Sequence, residues 1–69
     1  MATIKIVELI GTSSSNWEDA ANNAVKEAQE TVKDITGLEV VAQTAKVKDG
    51  AIVEYRTNVK LAFIVEENR

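Results

Sequence analysis

Between Thr3 and Ile10 an extended chain would carry Ile4, Ile6 and Ile10 on one face and Val7 and Leu9 on the other. Side chains of a strand alternate between faces, so both faces of this strand are apolar. A strand apolar on both sides needs cover on both sides. Only one stretch of the chain has helical spacing, so one cover is a helix and the other has to come from a second copy of the chain.

Size and composition point the same way. The 69 residues form one expected domain, 1–69, with no linker or repeat. Chains below about 70–80 residues rarely draw more than ~3–5 kcal/mol from one core without a staple. This one has no cysteine, no histidine and only three aromatic residues, yet is 45% hydrophobic. Disulfides and zinc held by thiolate or imidazole are excluded, and self-association is the remaining way to bury that surface. A net charge of −3 with interspersed signs argues against nucleic acid as a partner. No apolar run reaches the ~18 residues of a membrane span, and polar residues interrupt the first apolar segment, against a signal peptide. A cytoplasmic location is the expectation.

The three glycines, Gly11, Gly37 and Gly50, are expected to end elements. Trp17 to Ile35 has apolar residues at helical spacing, namely Trp17, Ala20, Ala21, Ala24, Val25, Ala28, Val32 and Ile35. Ser15 and Glu18 fit a capping box, and Gly37 suits the left-handed residue that closes a helix. Leu38 to Lys48 and Ala51 to Glu66 read as strands joined by the hairpin signal Asp49-Gly50. In the last strand Val53, Tyr55, Val59, Leu61, Phe63 and Val65 share one face, and Glu54, Arg56, Asn58 and Lys60 the other. The expected fold is α+β: a βαββ protomer whose three-stranded antiparallel sheet wraps one helix. A right-handed crossover would put the third strand between the other two.

The segment ELIGTSSSNWEDAANNAV, Glu8 to Val25, holds the residues that most suggest chemistry. Thr12, Ser13, Ser14 and Ser15 are hydroxyl nucleophiles in principle, but none has a placed base, so they read as a turn and cap. Neither GxxxxGK nor GxGxxG occurs, so no phosphate loop is present. Glu18, Asp19, Glu27, Glu30 and Asp34 could offer oxygen to a divalent cation, without EF-hand spacing, and read more simply as a solvated helix face. Trp17 either stacks on a planar ligand or packs at the helix start. Arg56 either holds an anion or ring, or forms a cross-strand salt bridge. No enzyme is expected.

The combination IVELIGTSSSNWEDAANNAV followed by LEVVAQTAKVKDGAIVEYRTNVKLAF resembles the dodecin family, from about Ile4 to Phe63. That resemblance implies a hollow homododecamer that binds, stores or buffers a small ligand, with riboflavin or FMN as the family default. It nominates Gly37, Leu38, Gln43 and Arg56 as ligand-binding positions. Flavin-binding dodecins carry a stacking tryptophan just before the EVV strand; here that place falls at Gly37 or next to it. They commonly face the flavin with a glutamine where Arg56 stands. Both departures are similar to the calcium dodecin branch, so the resemblance implies weak flavin binding, with a cation-binding or purely structural assembly as the alternative.

Overall fold

The computed structural model describes residues 2–66. Its elements are β1 (Ala2–Ser13), α1 (Trp17–Gln29), β2 (Ile35–Lys48) and β3 (Ala51–Glu66). The sheet order is β1-β3-β2, both pairings antiparallel. The last strand therefore lies in the middle, as the crossover argument expects.

Helix α1 lies across β1 and β3 and barely reaches β2. Its buried residues are Ala20 and Ala24, small enough to bring the helix backbone close to the sheet. From the other side come Val59 and Leu61 of β3, both without solvent exposure. Val7, Leu9, Ala21, Val25, Ala28 and Ile35 complete the core at its edge. The alternation in β3 is as expected from Tyr55 onward. It breaks at Val53, where a register shift makes Val47 pair with Ile52, so that Ile52 takes the helix side expected of Val53.

The glycines depart from expectation. Gly50 does sit in the hairpin turn, at φ 80° beside Asp49 at φ 54°. Gly11 does not end β1; it pairs with Thr57 inside the strand. A Cβ on Gly11 would collide with the Ala20 carbonyl oxygen and stand 2.9 Å from Ala24 Cβ, so the glycine exists to let the helix approach. Gly37 is not a helix cap. It lies in β2 opposite Ala62, next to a bulge at Thr36.

The helix stops at Gln29, six residues before the expected end. Thr31 and Val32 both donate their N–H to the Ala28 carbonyl, which closes the last turn. Asp34, not Gly37, takes the left-handed conformation, at φ 61°. Val32 and Ile35 keep helical spacing in the sequence, but Ile35 begins β2 and pairs with Phe63. The N-terminal cap is also one residue later than expected. Asn16, not Ser15, accepts from the Asp19 N–H, at 2.6 Å.

Candidate functional site

The hydroxyl run after β1 builds the turn. Ser13 Oγ donates to Asp19 Oδ2 at 2.7 Å and accepts from the Ser15 N–H at 2.9 Å. The third helical residue thus reaches back to Ser13 rather than to its own cap. Asn23 donates its amide to the Thr12 carbonyl at 2.9 Å, satisfying part of the open edge of β1. An open cleft of about 550 Å³ lies beside this contact, between Leu9–Thr12 and the helix residues Asn23, Lys26 and Glu27. None of the nominated ligand positions lines it.

Trp17 takes the packing role. Its indole N–H donates to the Thr44 carbonyl at 2.8 Å, and its ring meets Tyr55 edge-on at 4.8 Å between centroids. Below it, the buried Thr57 hydroxyl donates to the Trp17 carbonyl at 2.8 Å. The start of the helix is therefore tied to both strands of the hairpin.

The four nominated positions divide between the two faces of the sheet. Arg56 lies on the helix-free face, in register with Thr12 of β1 and Thr44 of β2. Its Nε donates to Glu54 Oε2 at 3.1 Å. The partner is thus along the same strand, not across the sheet as the salt-bridge reading had it. Gly37 shares the helix-free face, opposite Ala62, six residues along β3 from Arg56. At the strand rise this is roughly 20 Å, so one protomer does not bring the two together. Leu38 pairs with Leu61 and Gln43 with Thr57, which puts both on the helix side.

Two further features of the helix-free face escaped the sequence reading. Lys60 lies between Glu8 of β1 and Glu39 of β2 as cross-strand neighbours. Asn58, between Ile10 and Ala42, has a buried Oδ1 that finds no donor among the described residues. Cross-strand register could have paired the charges in advance; the orphan acceptor needed coordinates. Among the described residues, no three acidic side chains converge on one point.

A helix laid on one face of an antiparallel β1-β3-β2 sheet, with the other face left uncovered within one chain, defines a small α+β protomer of the βαββ class. The chain belongs to the dodecin family, whose model it matches over residues 3–66. It is 35% identical to the calcium dodecin of Mycobacterium tuberculosis over 91% of this chain and 89% of that protein. A solved structure described as a calcium-chelating immunodominant antigen, calcium dodecin, from the same organism has a TM-score of 0.81 at 34% identity, covering 97% of this chain and 96% of that one. The dodecin of Streptomyces coelicolor superimposes with a TM-score of 0.92 at 30% identity, over 97% and 96% of the two chains. Dodecins are non-catalytic, and so is this member.

Proposed function

We propose that this chain is the subunit of a hollow dodecin-type oligomer, twelve copies in its closed form, and that its small ligand is a divalent cation of the calcium type rather than a tightly held flavin. The observation that carries this reading is the bare strand at Gly37. Among the described residues a Cβ there would meet only Ala62 Cβ within 4 Å, at 3.8 Å, so no ring of the same chain touches the place where the family's flavin-binding members stack one. Without an aromatic partner a flavin loses ~0.5–1.5 kcal/mol per ring pair beyond its area burial. The calcium-named relatives, similar over nearly the whole chain, support the cation.

One protomer does not supply a calcium site from its own carboxylates. Calcium takes about six to eight oxygens, so in this reading the site is completed by oxygens of neighbouring copies. The helix-free face supports this with one buried acceptor that has no donor among the described residues, Asn58 Oδ1, and with Glu8 and Glu39 in register on either side of Lys60. Arg56, held by Glu54, suits a wall of that cavity, where flavin would find a guanidinium in place of an amide.

The test is calcium and riboflavin titration on one metal-stripped preparation. Calcorimetric heat with saturable stoichiometry for calcium, and weak non-stoichiometric quenching of riboflavin fluorescence, are expected. Stoichiometric riboflavin quenching with no calcium heat overturns the cation reading. Native mass spectrometry of the same sample checks the assembly, and a folded monomer at low micromolar concentration overturns that part.

A further inference from the structure

We infer that the hairpin turn Asp49-Gly50 is a site of self-modification: in the folded chain the Asp49 carboxyl closes on the Gly50 nitrogen to a succinimide, and water reopens that ring to an isoaspartyl residue. The site stands apart from the ligand and the oligomer proposed above.

Closing a five-membered ring needs a carboxyl one carbon from the backbone, an unhindered nitrogen beside it, and a main chain free to rotate between them. Asp49 and Gly50 supply all three. The β2–β3 ladder ends at Lys48 and Ala51, so the two turn residues lie outside it. Both are exposed, and a Cβ placed on Gly50 would meet no atom within 4 Å. The ties between helix and hairpin, through Trp17 to Thr44, Tyr55 and Thr57, lie at least five residues from the turn.

The backbone is already close to the ring's own conformation. Positive φ at both residues, 54° at Asp49 and 80° at Gly50, marks a type I′ turn. A succinimide holds the Cα–C torsion of its aspartate near roughly −120°, which with a positive φ is the first central residue of a type II′ turn. Both are two-residue hairpin turns. Passage from one to the other flips the single peptide plane between Asp49 and Gly50. Asp49 keeps its φ, and Gly50 reverses the sign of its own, as glycine readily does. Cyclisation therefore leaves Lys48 and Ala51 in register.

The Gly50 nitrogen bonds to Asp49 Cγ. Its proton, one solvent proton and one carboxylate oxygen leave as water. Water then adds at the Asp49 main-chain carbonyl carbon, the bond from that carbon to the Gly50 nitrogen breaks, and the nitrogen regains a proton. The main chain now runs through Cβ and Cγ, one carbon longer, beside a free α-carboxylate. A two-residue turn has no place for the extra carbon, so the pairs Lys48–Ala51 and Val47–Ile52 loosen.

Asp34 is a control supplied by the chain itself. It too is left-handed, at φ 61°, but its neighbour Ile35 pairs with Phe63. The same flip there would drive a β-branched residue to positive φ. At Asp19 the carboxylate is held by Ser13 Oγ at 2.7 Å, and the next N–H, that of Ala20, donates to the Asn16 carbonyl at 3.1 Å.

The test ages the assembled protein at physiological temperature and pH. Its peptides are then weighed and assayed for methyl acceptance by an isoaspartyl methyltransferase. The species lighter by one water and the methyl-accepting species are both expected in the peptide containing Asp49. They should accumulate at least about tenfold faster than at Asp19 or Asp34, a barrier lower by about 1.4 kcal/mol. The rate in the native assembly should lie within about tenfold of that in denaturant, because the turn cyclises without unfolding. Asp49→Asn, still a favoured residue in this turn, loses ammonia in place of water and should react faster. Asp49→Glu cannot close a five-membered ring and should abolish the reaction. Modification of Asp49 in denaturant but not in the native assembly overturns the inference. Equal accumulation at Asp34, or reaction persisting in Asp49→Glu, overturns it as well.

Discussion

On the helix side of the sheet, Thr57, Val59 and Leu61 of β3 are wholly withdrawn from solvent, while Leu38, Val40 and Val47 of β2, on the same side of the same sheet, keep 42%, 48% and 63% of their exposure. Residue type does not separate the two groups; the reach of the helix does. Thirteen helical residues span ~20 Å and a cylinder ~10 Å wide. The strands of 14 and 16 residues run to roughly 50 Å, and three of them are wider than one helix can cover. The protomer thus completes a core over β1 and β3 and leaves the same kind of surface open along β2 and toward the hairpin tip. Stability of the fold should be concentrated in the first region and assembly in the second.

Substitutions under the helix sharpen that contrast most. Leu61→Ala should cost about 2–5 kcal/mol, because it empties a fully buried position. Denaturant unfolding measures it, and a loss below ~1 kcal/mol would mean that the core sits elsewhere. Gly11→Ala comes next, at the upper end of the ~1–3 kcal/mol of overpacking, since its Cβ has no room against Ala20 and Ala24. Weaker helical circular dichroism and a lower melting temperature are the readouts.

Asn16→Ala should cost ~0.5–2 kcal/mol by removing the cap, while Ser15→Ala leaves stability nearly unchanged because its hydroxyl caps nothing. The reverse ranking in thermal melts would restore Ser15 as the cap. The smallest stability effect belongs to the open region. Gly37→Trp has no left-handed backbone to strain and an ordinary contact with Ala62, so the melting temperature should barely move. Riboflavin quenching should nonetheless strengthen, and no gain would show that the helix-free face has been rebuilt for a different ligand.

Much of this was legible in the sequence because it is local. The alternation of β3 and the Asp49-Gly50 turn need only neighbouring residues to specify them. The end of the helix was not legible, since Val32 and Ile35 keep helical spacing while one serves a loop and the other a strand. Gly11 and Gly37 misled for a related reason. A glycine needed for a close tertiary approach looks, in one dimension, like a glycine needed for a turn. At the candidate site the sequence placed Arg56 on the polar face correctly but suggested a cross-strand partner, where the guanidinium chose Glu54 on its own strand. The separation of Gly37 from Arg56 along β3 is a matter of register, and a site completed by several copies leaves no trace in the spacing of one chain.

The pairing of Ile4 with Ile64 has a consequence for how the chain is made. The strand translated first has no partner until the strand translated last leaves the ribosome. The 37 residues between Ser13 and Ala51 alone take roughly two to seven seconds at ~5–20 residues per second. During that interval a segment apolar on both faces stands unpaired, while the β2–β3 hairpin can close locally as soon as it emerges. A nascent chain of this design is therefore most vulnerable to capture by chaperones, or by other nascent chains, through its earliest segment.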